Sequence, residues 1–326
     1  MSVDIIPGIH HITVVAGDPQ RNLDFYGGVL GLRLVKTTVN FDAPDVYHFY
    51  YGDEVGHPGT ILTFFPFPNA PRGRRGTGTV DAIAFSIPST SLGYWTERLV
   101  AHGLTGDVPS TRFGEQVISF ADPDGLRLEL IAHDADRRSG WTGGPVPAAH
   151  AIRGFHGATL LVRDAGPTAR LLTETMGFRS IGEEGDRVRY ATGEGGPGAE
   201  VDLVAAPGTP PGSVAAGITH HIAWRTPDQE SELHWRRVLG AQGLDVTSVR
   251  DREYFRSIYF HEPGGVLFEI ATDPPGFTID ESVAALGSGL KLPPWLESRR
   301  PQLERALPPL RRPAPAVPVP APVSQG

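Results

Sequence analysis

The chain contains no cysteine, which excludes disulfides, thiolate metal sites and cysteine nucleophiles. Any metal it holds must be bound by His, Asp, Glu or water. Basic residues are also in deficit, with 29 Lys and Arg against 37 Asp and Glu and a formal net charge of −8. A nucleic-acid partner is not expected, because phosphate binding needs a basic surface; the Arg72, Arg74, Arg75 cluster reads as a solvated loop. No apolar run approaches the length of a membrane span, so no membrane partner is expected either. Met1-Ser2-Val3-Asp4 has neither a basic n-region nor an apolar h-region, and a cytoplasmic location is the expectation. What remains is an ordinary globular balance, 40% hydrophobic and 20% charged over 326 residues, enough for two domains or one two-halved fold.

Self-similarity is the dominant signal. Four segments share a strand, a helix and three more strands, a βαβββ unit of the α+β class. The first opens at Gly8-Ile9-His10-His11-Ile12-Thr13. Asp18 is placed as N-cap of its helix with Pro19 at the first helical position, Gly31 ends it, and strands follow over residues 32–35, 46–51 and 60–65. The second opens at Thr79 to Phe85, carries a helix near Leu92 to His102 and closes on Gly125 to Leu130. The third runs from Gly154-Phe155-His156-Gly157 to Gly198-Ala199-Glu200-Val201-Asp202. The fourth opens on Gly217-Ile218-Thr219-His220-His221-Ile222 and closes on Gly264-Gly265-Val266-Leu267-Phe268-Glu269-Ile270. The expected organisation is an N-terminal half (1–133, modules 1 and 2), a linker (134–151), a C-terminal half (152–275, modules 3 and 4), an arm (276–310) and a disordered Pro-rich tail (311–326).

Two columns of the repeat carry chemistry. In the first strand the aligned residues are His11, Ala82, Gly157 and His221; in the last strand, four residues after a turn glycine, they are Thr63, Glu129, Asp202 and Glu269. Side chains alternate along a strand, so each column faces one way. Pairing modules 1 and 2, or 3 and 4, supplies only one His per cup. Pairing modules 1 and 4 gives His11, His221, Glu269 and Thr63, the two-His, one-carboxylate set that leaves open positions on a non-haem Fe(II). Modules 2 and 3 then form a vacant cup. Mn(II) suits the same ligands. His156 aligns with His10, one residue off, and is expected on the opposite face. His48, His57, His102, His133, His150, His234 and His261 share no column and read as surface or local structure. Glu129 reads as exposed or ion-paired, and the run Phe64, Phe65, Phe67 as core with some share in a pocket wall.

These motifs, together with Gly31-Leu32-Arg33-Leu34-Val35-Lys36, Arg153-Gly154-Phe155-His156-Gly157 and Phe268 to Phe277, resemble the vicinal oxygen chelate superfamily, and within it the hydroquinone ring-cleaving dioxygenases. The likeness extends over roughly residues 5 to 310, all but the tail. It implies an Fe(II)-dependent dioxygenase that inserts O2 into a small aromatic para-diol, with His11, His221 and Glu269 as ligands. It also implies second-sphere roles for His10, Thr13, His220, Arg252 and Tyr259, with Tyr259 or His220 as proton donor and Arg252 orienting a phenolate. The rivals are a catechol extradiol dioxygenase, a glyoxalase-type isomerase, which Thr63 disfavours because it cannot act as a base, and a metal-free small-molecule binder. A homo-oligomer is left open.

Overall fold

Each repeat folds as a strand, a helix and three further strands in the computed structural model, which describes residues 5–104 and 109–311. Module 1 comprises β1 (Ile9–Ala16), α1 (Pro19–Leu23, widening into a π-helical turn over Asp24–Val29), β2 (Arg33–Asn40), β3 (Ala43–Gly52) and β4 (Ile61–Pro66). Module 2 comprises β5 (Thr79–Ile87), α2 (Leu92–Ala101), β6 (Ser110–Arg112), β7 (Glu115–Ala121) and β8 (Arg127–Ala132). Module 3 follows as β9 (Gly154–Val162), α3 (Ala165–Arg170, with a second π turn to Thr175), β10 (Arg179–Glu184), β11 (Arg187–Ala191) and β12 (Glu200–Ala205). Module 4 is β13 (Ile218–Thr226), α4 (Gln229–Ala241), β14 (Arg250–Asp251), β15 (Arg256–His261) and β16 (Leu267–Thr272), and a last helix, α5, spans Arg300–Ala306.

Local chemistry explains these boundaries. Asp18 accepts a hydrogen bond from the backbone N–H of Arg21 at 2.7 Å, with Pro19 opening the helix as its fixed φ favours. β2 runs five residues beyond its expected end at Val35, because Thr37, Thr38 and Val39 are β-branched and buried against the sheet. The glycines that begin each closing strand, Gly59, Gly125, Gly198 and Gly265, have φ of 91°, 90°, 88° and 97°. That conformation penalises any side chain and fixes the register of the residue four places on.

The strands assemble into two eight-stranded sheets, ordered β14-β15-β16-β13-β1-β4-β3-β2 and β10-β11-β12-β9-β5-β8-β7-β6. Modules 1 and 4 thus share one sheet and modules 2 and 3 the other, each joined by its opening strands, β1 with β13 and β5 with β9, in antiparallel pairs. One apolar core runs through both, taking Trp224 and Phe268 from one sheet, Phe85 and Phe155 from the other, and Trp95, Leu172 and Trp235 from the helices.

Residues 134–151 are pinned: Arg138 donates to the carbonyl of Gly59, in the turn ahead of β4, at 3.2 Å and to that of Phe155, on β9, at 2.6 Å. The arm is anchored by Lys36, wholly buried, whose ammonium meets Asp280 and Glu281. Leu292, Leu296, Leu303 and Leu307 then pack on Val39. The expected tail, apart from Arg311, lies outside the described residues. Among the described residues no helix is long and apolar enough to cross a membrane.

One buried group is set against the fold. Glu232 on α4 is fully buried, and neither carboxylate oxygen has a hydrogen-bond partner. Burial pushes its pKa up to about 7, with Arg256 opposing and Glu269 reinforcing the shift. A carboxyl raised above its unfolded value binds more protons in the native state, so stability falls as pH climbs from the unfolded pKa, about 4.5, to about 7. Glu232→Gln is expected to stabilise the protein by roughly 2–3 kcal/mol at pH 8 and by little at pH 4.5. Urea unfolding at the two pH values checks this; an equal effect at both would contradict it.

Candidate metal centre

The two His-His doublets sit where the ladder between β1 and β13 slips. Ile9 pairs with Trp224 and His11 with Ala223, leaving His10 as an extra residue; Thr13 pairs with His221 and Val14 with Thr219, leaving His220 extra. A β-bulge re-aims a side chain that strict alternation would send to the other face. Adjacent imidazoles therefore meet: His10 Nδ1 lies 2.9 Å from His11 Nδ1, and His220 Nδ1 lies 2.7 Å from His221 Nδ1. Each inner ring is held from behind by the first His of its doublet, so its Nε2 points inward.

Those two Nε2 atoms are 3.2 Å apart, and Glu269 Oε2 stands 3.3 Å from His11 Nε2 and 2.9 Å from His221 Nε2. Glu269 comes from β16, parallel to β13, and is completely buried. Its Oε1 accepts from the Ser257 hydroxyl, while Oε2 has no hydrogen-bond donor. Burial would raise the Glu269 pKa, but the His11 and His221 rings overcome it and hold the carboxyl well below its usual range; burial pushes His221 down. The cluster thus sets a carboxylate oxygen against two imidazole nitrogens, three metal-type donor atoms converging on one point. Ligands at right angles about a first-row cation, with bonds near 2.1 Å, lie roughly 3 Å apart. The three observed separations match that spacing, and the orphaned oxygen supplies the motive, so the residues fit a divalent metal.

The triad opens on a cavity of about 660 Å³, lined among others by Thr13, His48, Tyr50, Phe65, Phe67, His220, Arg252, Phe255 and Tyr259. Of the second-sphere residues expected from sequence, Thr13, His220, Arg252 and Tyr259 line it, and His10 stands behind His11 against Phe255. Arg252 Nε donates to the Tyr259 hydroxyl at 3.0 Å and Nη1 reaches Asp42 at 3.1 Å. Burial and Glu269 raise the Tyr259 pKa, so its phenol keeps its proton. Burial takes His220 down to about 4, leaving it neutral at neutral pH.

Sequence reasoning missed three residues. His48, read as surface or local structure, is held between Tyr50 and Thr63 in the cavity wall. Ser257 fixes Glu269, and the Phe255 ring packs at a tilt against His11, with centroids 4.8 Å apart. The overlooked signal was alternation: Tyr50 is the register partner of Thr63 and Tyr259 of Glu269, so residues two before each tyrosine, His48 and Ser257, share the cup face. Phe65 and Phe67 line the cavity, whereas Phe64 is core.

The other cup has the same scaffold and a different filling. Its column residues Glu129 and Asp202 are buried, as Glu269 is, but guanidinium groups occupy the space between them. Arg112 grips Glu129 through two bonds of 2.9 and 2.7 Å; Arg189 and Arg187 bond Asp202 at 2.8 and 3.0 Å. About 10 Å³ of cavity remains. Glu129 is therefore ion-paired rather than exposed. His156 does not point away: the ladder slips between Ala84 and Phe85, and the bulged ring lines this cup and bonds Glu115 at 2.9 Å. Although burial opposes it, bonding to His156, Arg189 and His133 holds Glu115 down at about 2.

The model of the Glyoxalase/Bleomycin resistance protein/Dioxygenase superfamily matches residues 8–130 and 154–279, one span over each half. The chain belongs to that superfamily. It is 48% identical over 299 residues to MhqO of Bacillus subtilis, provisionally assigned as a ring-cleaving dioxygenase, covering 91% of this chain and 94% of the relative. It is 37% identical over 307 residues to a chlorohydroquinone/hydroquinone 1,2-dioxygenase of Sphingobium indicum, covering 91% and 95%. A crystal structure of a provisionally assigned dioxygenase from Bacillus subtilis superposes with a TM-score of 0.91 at 47% identity, covering 94% of this chain and 98% of that one. Within the superfamily, the chain falls in the branch of these ring-cleaving relatives.

If guanidinium charge is what fills the second cup, Arg112→Met strands Glu129 without its partner. Breaking a buried pair by removing one member typically costs about 3–5 kcal/mol. Denaturant unfolding of that variant should show a loss of this order with no change in bound metal; a loss below about 1 kcal/mol would contradict the assignment.

Proposed function

We propose that this chain is an Fe(II)-dependent ring-cleaving dioxygenase for a hydroquinone-type aromatic para-diol, with His11, His221 and Glu269 as the metal ligands. The observation that carries the reading is the buried Glu269 Oε2, without a hydrogen-bond donor and faced by two imidazole Nε2 atoms. The names of relatives that match over 91% of the chain support the reaction and the substrate class. Mn(II) suits the same ligands, since this donor set does not separate first-row divalent metals.

When bound, the metal supplies a positive centre with open positions where a diol and O2 meet and exchange electrons. The protein does the rest. With one carboxylate and two neutral imidazoles the loaded site carries a net charge near +1, which favours a deprotonated phenol. His10 and His220 accept the Nδ1 hydrogens of His11 and His221, fixing the tautomer that presents Nε2. Ser257 donates to Glu269 Oε1 and leaves Oε2 free to ligate. The Tyr259 oxygen accepts from Arg252, so the phenolic hydrogen is available to the cavity, where it would serve as general acid toward a reacting oxygen. The Arg252 guanidinium, half-buried at the mouth, orients an anionic oxygen by charge-assisted hydrogen bonding. Phe65, Phe67 and Phe255 give the ring apolar walls. A catechol extradiol activity shares all of these parts and differs in which diol fits.

His11→Ala, His221→Ala and Glu269→Gln should each lose stoichiometric metal and activity, while His156→Ala keeps both; metal analysis and O2 uptake measure this. Metal retained in His11→Ala would place the site elsewhere. Tyr259→Phe should keep its metal and slow turnover by about 10²-fold or more, and unchanged single-turnover rates would remove its acid role. With anaerobically reconstituted enzyme, hydroquinone or a chlorohydroquinone should support O2 uptake. Uptake with catechol alone would favour the ortho-diol reading.

A further inference from the structure

The cavity wall contains a hydrogen-bonded chain that reading for metal ligands leaves unused. Tyr50 OH lies 2.9 Å from His48 Nδ1, His48 Nε2 lies 2.9 Å from Thr63 Oγ1, and Thr63 Oγ1 lies 2.8 Å from Thr13 Oγ1. Tyr50, Thr63 and Thr13 are almost wholly buried, and Thr13 lines the cavity beside His11 and His221. Such a chain has a direction, because a neutral imidazole has one N–H and one acceptor nitrogen. Burial keeps His48 neutral by pushing its pKa well below 6.5.

Relative acidity sets the direction. A phenol is the stronger acid and an imidazole nitrogen the stronger base, so Tyr50 donates to Nδ1 and the ring hydrogen sits on Nε2. The repeat is consistent with that direction. Thr63 occupies in module 1 the place of Glu269 in module 4, and His48 the place of Ser257, each two residues before the tyrosine paired with that position. Ser257 must donate, since a carboxylate only accepts; the Thr63 hydroxyl can accept as well as donate, so a hydrogen bond of the same sense from His48 fits its place. The Thr63 hydroxyl then donates to Thr13 Oγ1; among the described residues Thr13 Oγ1 has no other hydrogen-bond partner, so its hydrogen is left to the cavity that it lines.

We propose that His48 is a positioning residue: acting through Thr63, it commits the Thr13 hydroxyl to donate into the cavity, so that this point of the site recognises a deprotonated substrate oxygen rather than a hydroxyl hydrogen. The proposal deepens the dioxygenase reading and rests on it for the identity of the substrate. Thr63 thereby gains a function in the column where it is no ligand. The direction of the chain is a property of the protein alone.

Nitrogen-15 NMR of the metal-free and Zn(II)-loaded protein reads the tautomer directly, and His48 should carry its hydrogen on Nε2 in both. A hydrogen on Nδ1 would reverse the chain and overturn the proposal, whatever the enzyme turns over. Calorimetric binding of hydroquinone to the Zn(II)-loaded protein reads the consequence. Thr13→Val, Thr63→Val and His48→Leu should each weaken binding about tenfold, the scale of one hydrogen bond to a charged group, with zinc content unchanged. His48→Gln, whose amide can donate near the Nε2 position, should recover most of the loss. The Thr13→Val, His48→Leu pair should be no worse than Thr13→Val alone, because both break one chain; additive losses would mean that His48 acts independently of Thr13. Should hydroquinone not bind the wild-type protein, the dioxygenase reading fails while the tautomer still decides the direction.

Discussion

The carboxylate of Glu269 is the constraint around which the structure is arranged. It is sealed from water, and its Oε2 lacks a hydrogen-bond donor. Such a charge is costly in a protein interior unless a cation compensates it. The antiparallel pairing of β1 with β13 answers that need by bringing His11 and His221, separated by 210 residues, to within 3.2 Å of each other. Two bulges in the same ladder add a supporting histidine behind each, so the feature that interrupts the sheet also orients the site.

The second sheet serves as an internal control, built from the same repeat on the same topology. It also buries carboxylates at the closing-strand column, yet meets their charge with Arg112, Arg187 and Arg189. Two solutions to one electrostatic problem thus stand side by side. Guanidinium groups fill a cup and leave almost no space, whereas two imidazoles leave a cavity of about 660 Å³ beside them. Duplication supplied the scaffold, and the residues in two columns decide which cup can take a small molecule.

Much of this was legible in the chain. The four-fold repeat, the turn glycines and the two columns follow from periods of two and from φ-positive turns, which act locally and leave a trace in sequence. The structural register agrees with the columns: Thr63, Glu129, Asp202 and Glu269 pair with Thr13, Ala84, Thr159 and Ala223, each two residues after its first-strand column position. The bulges were not legible, because alternation is the rule they break, and so His156 was assigned to the wrong face. His48 escaped for another reason. Its partners, Tyr50 and Thr63, lie on its own strand and on the neighbouring one, and its counterpart in module 4 is Ser257, so no histidine recurs at that place in the repeat. The arginines of the second cup sit on β6 and β11, where nothing in their spacing marks the carboxylates they neutralise.

The most direct test is iron-edge anomalous diffraction from crystals of the protein loaded anaerobically with Fe(II). One strong peak is expected between His11 Nε2, His221 Nε2 and Glu269 Oε2, with none in the cup formed by modules 2 and 3. A peak beside Glu115, His133 and His156, or a triad that stays dark at full iron loading, would contradict the account.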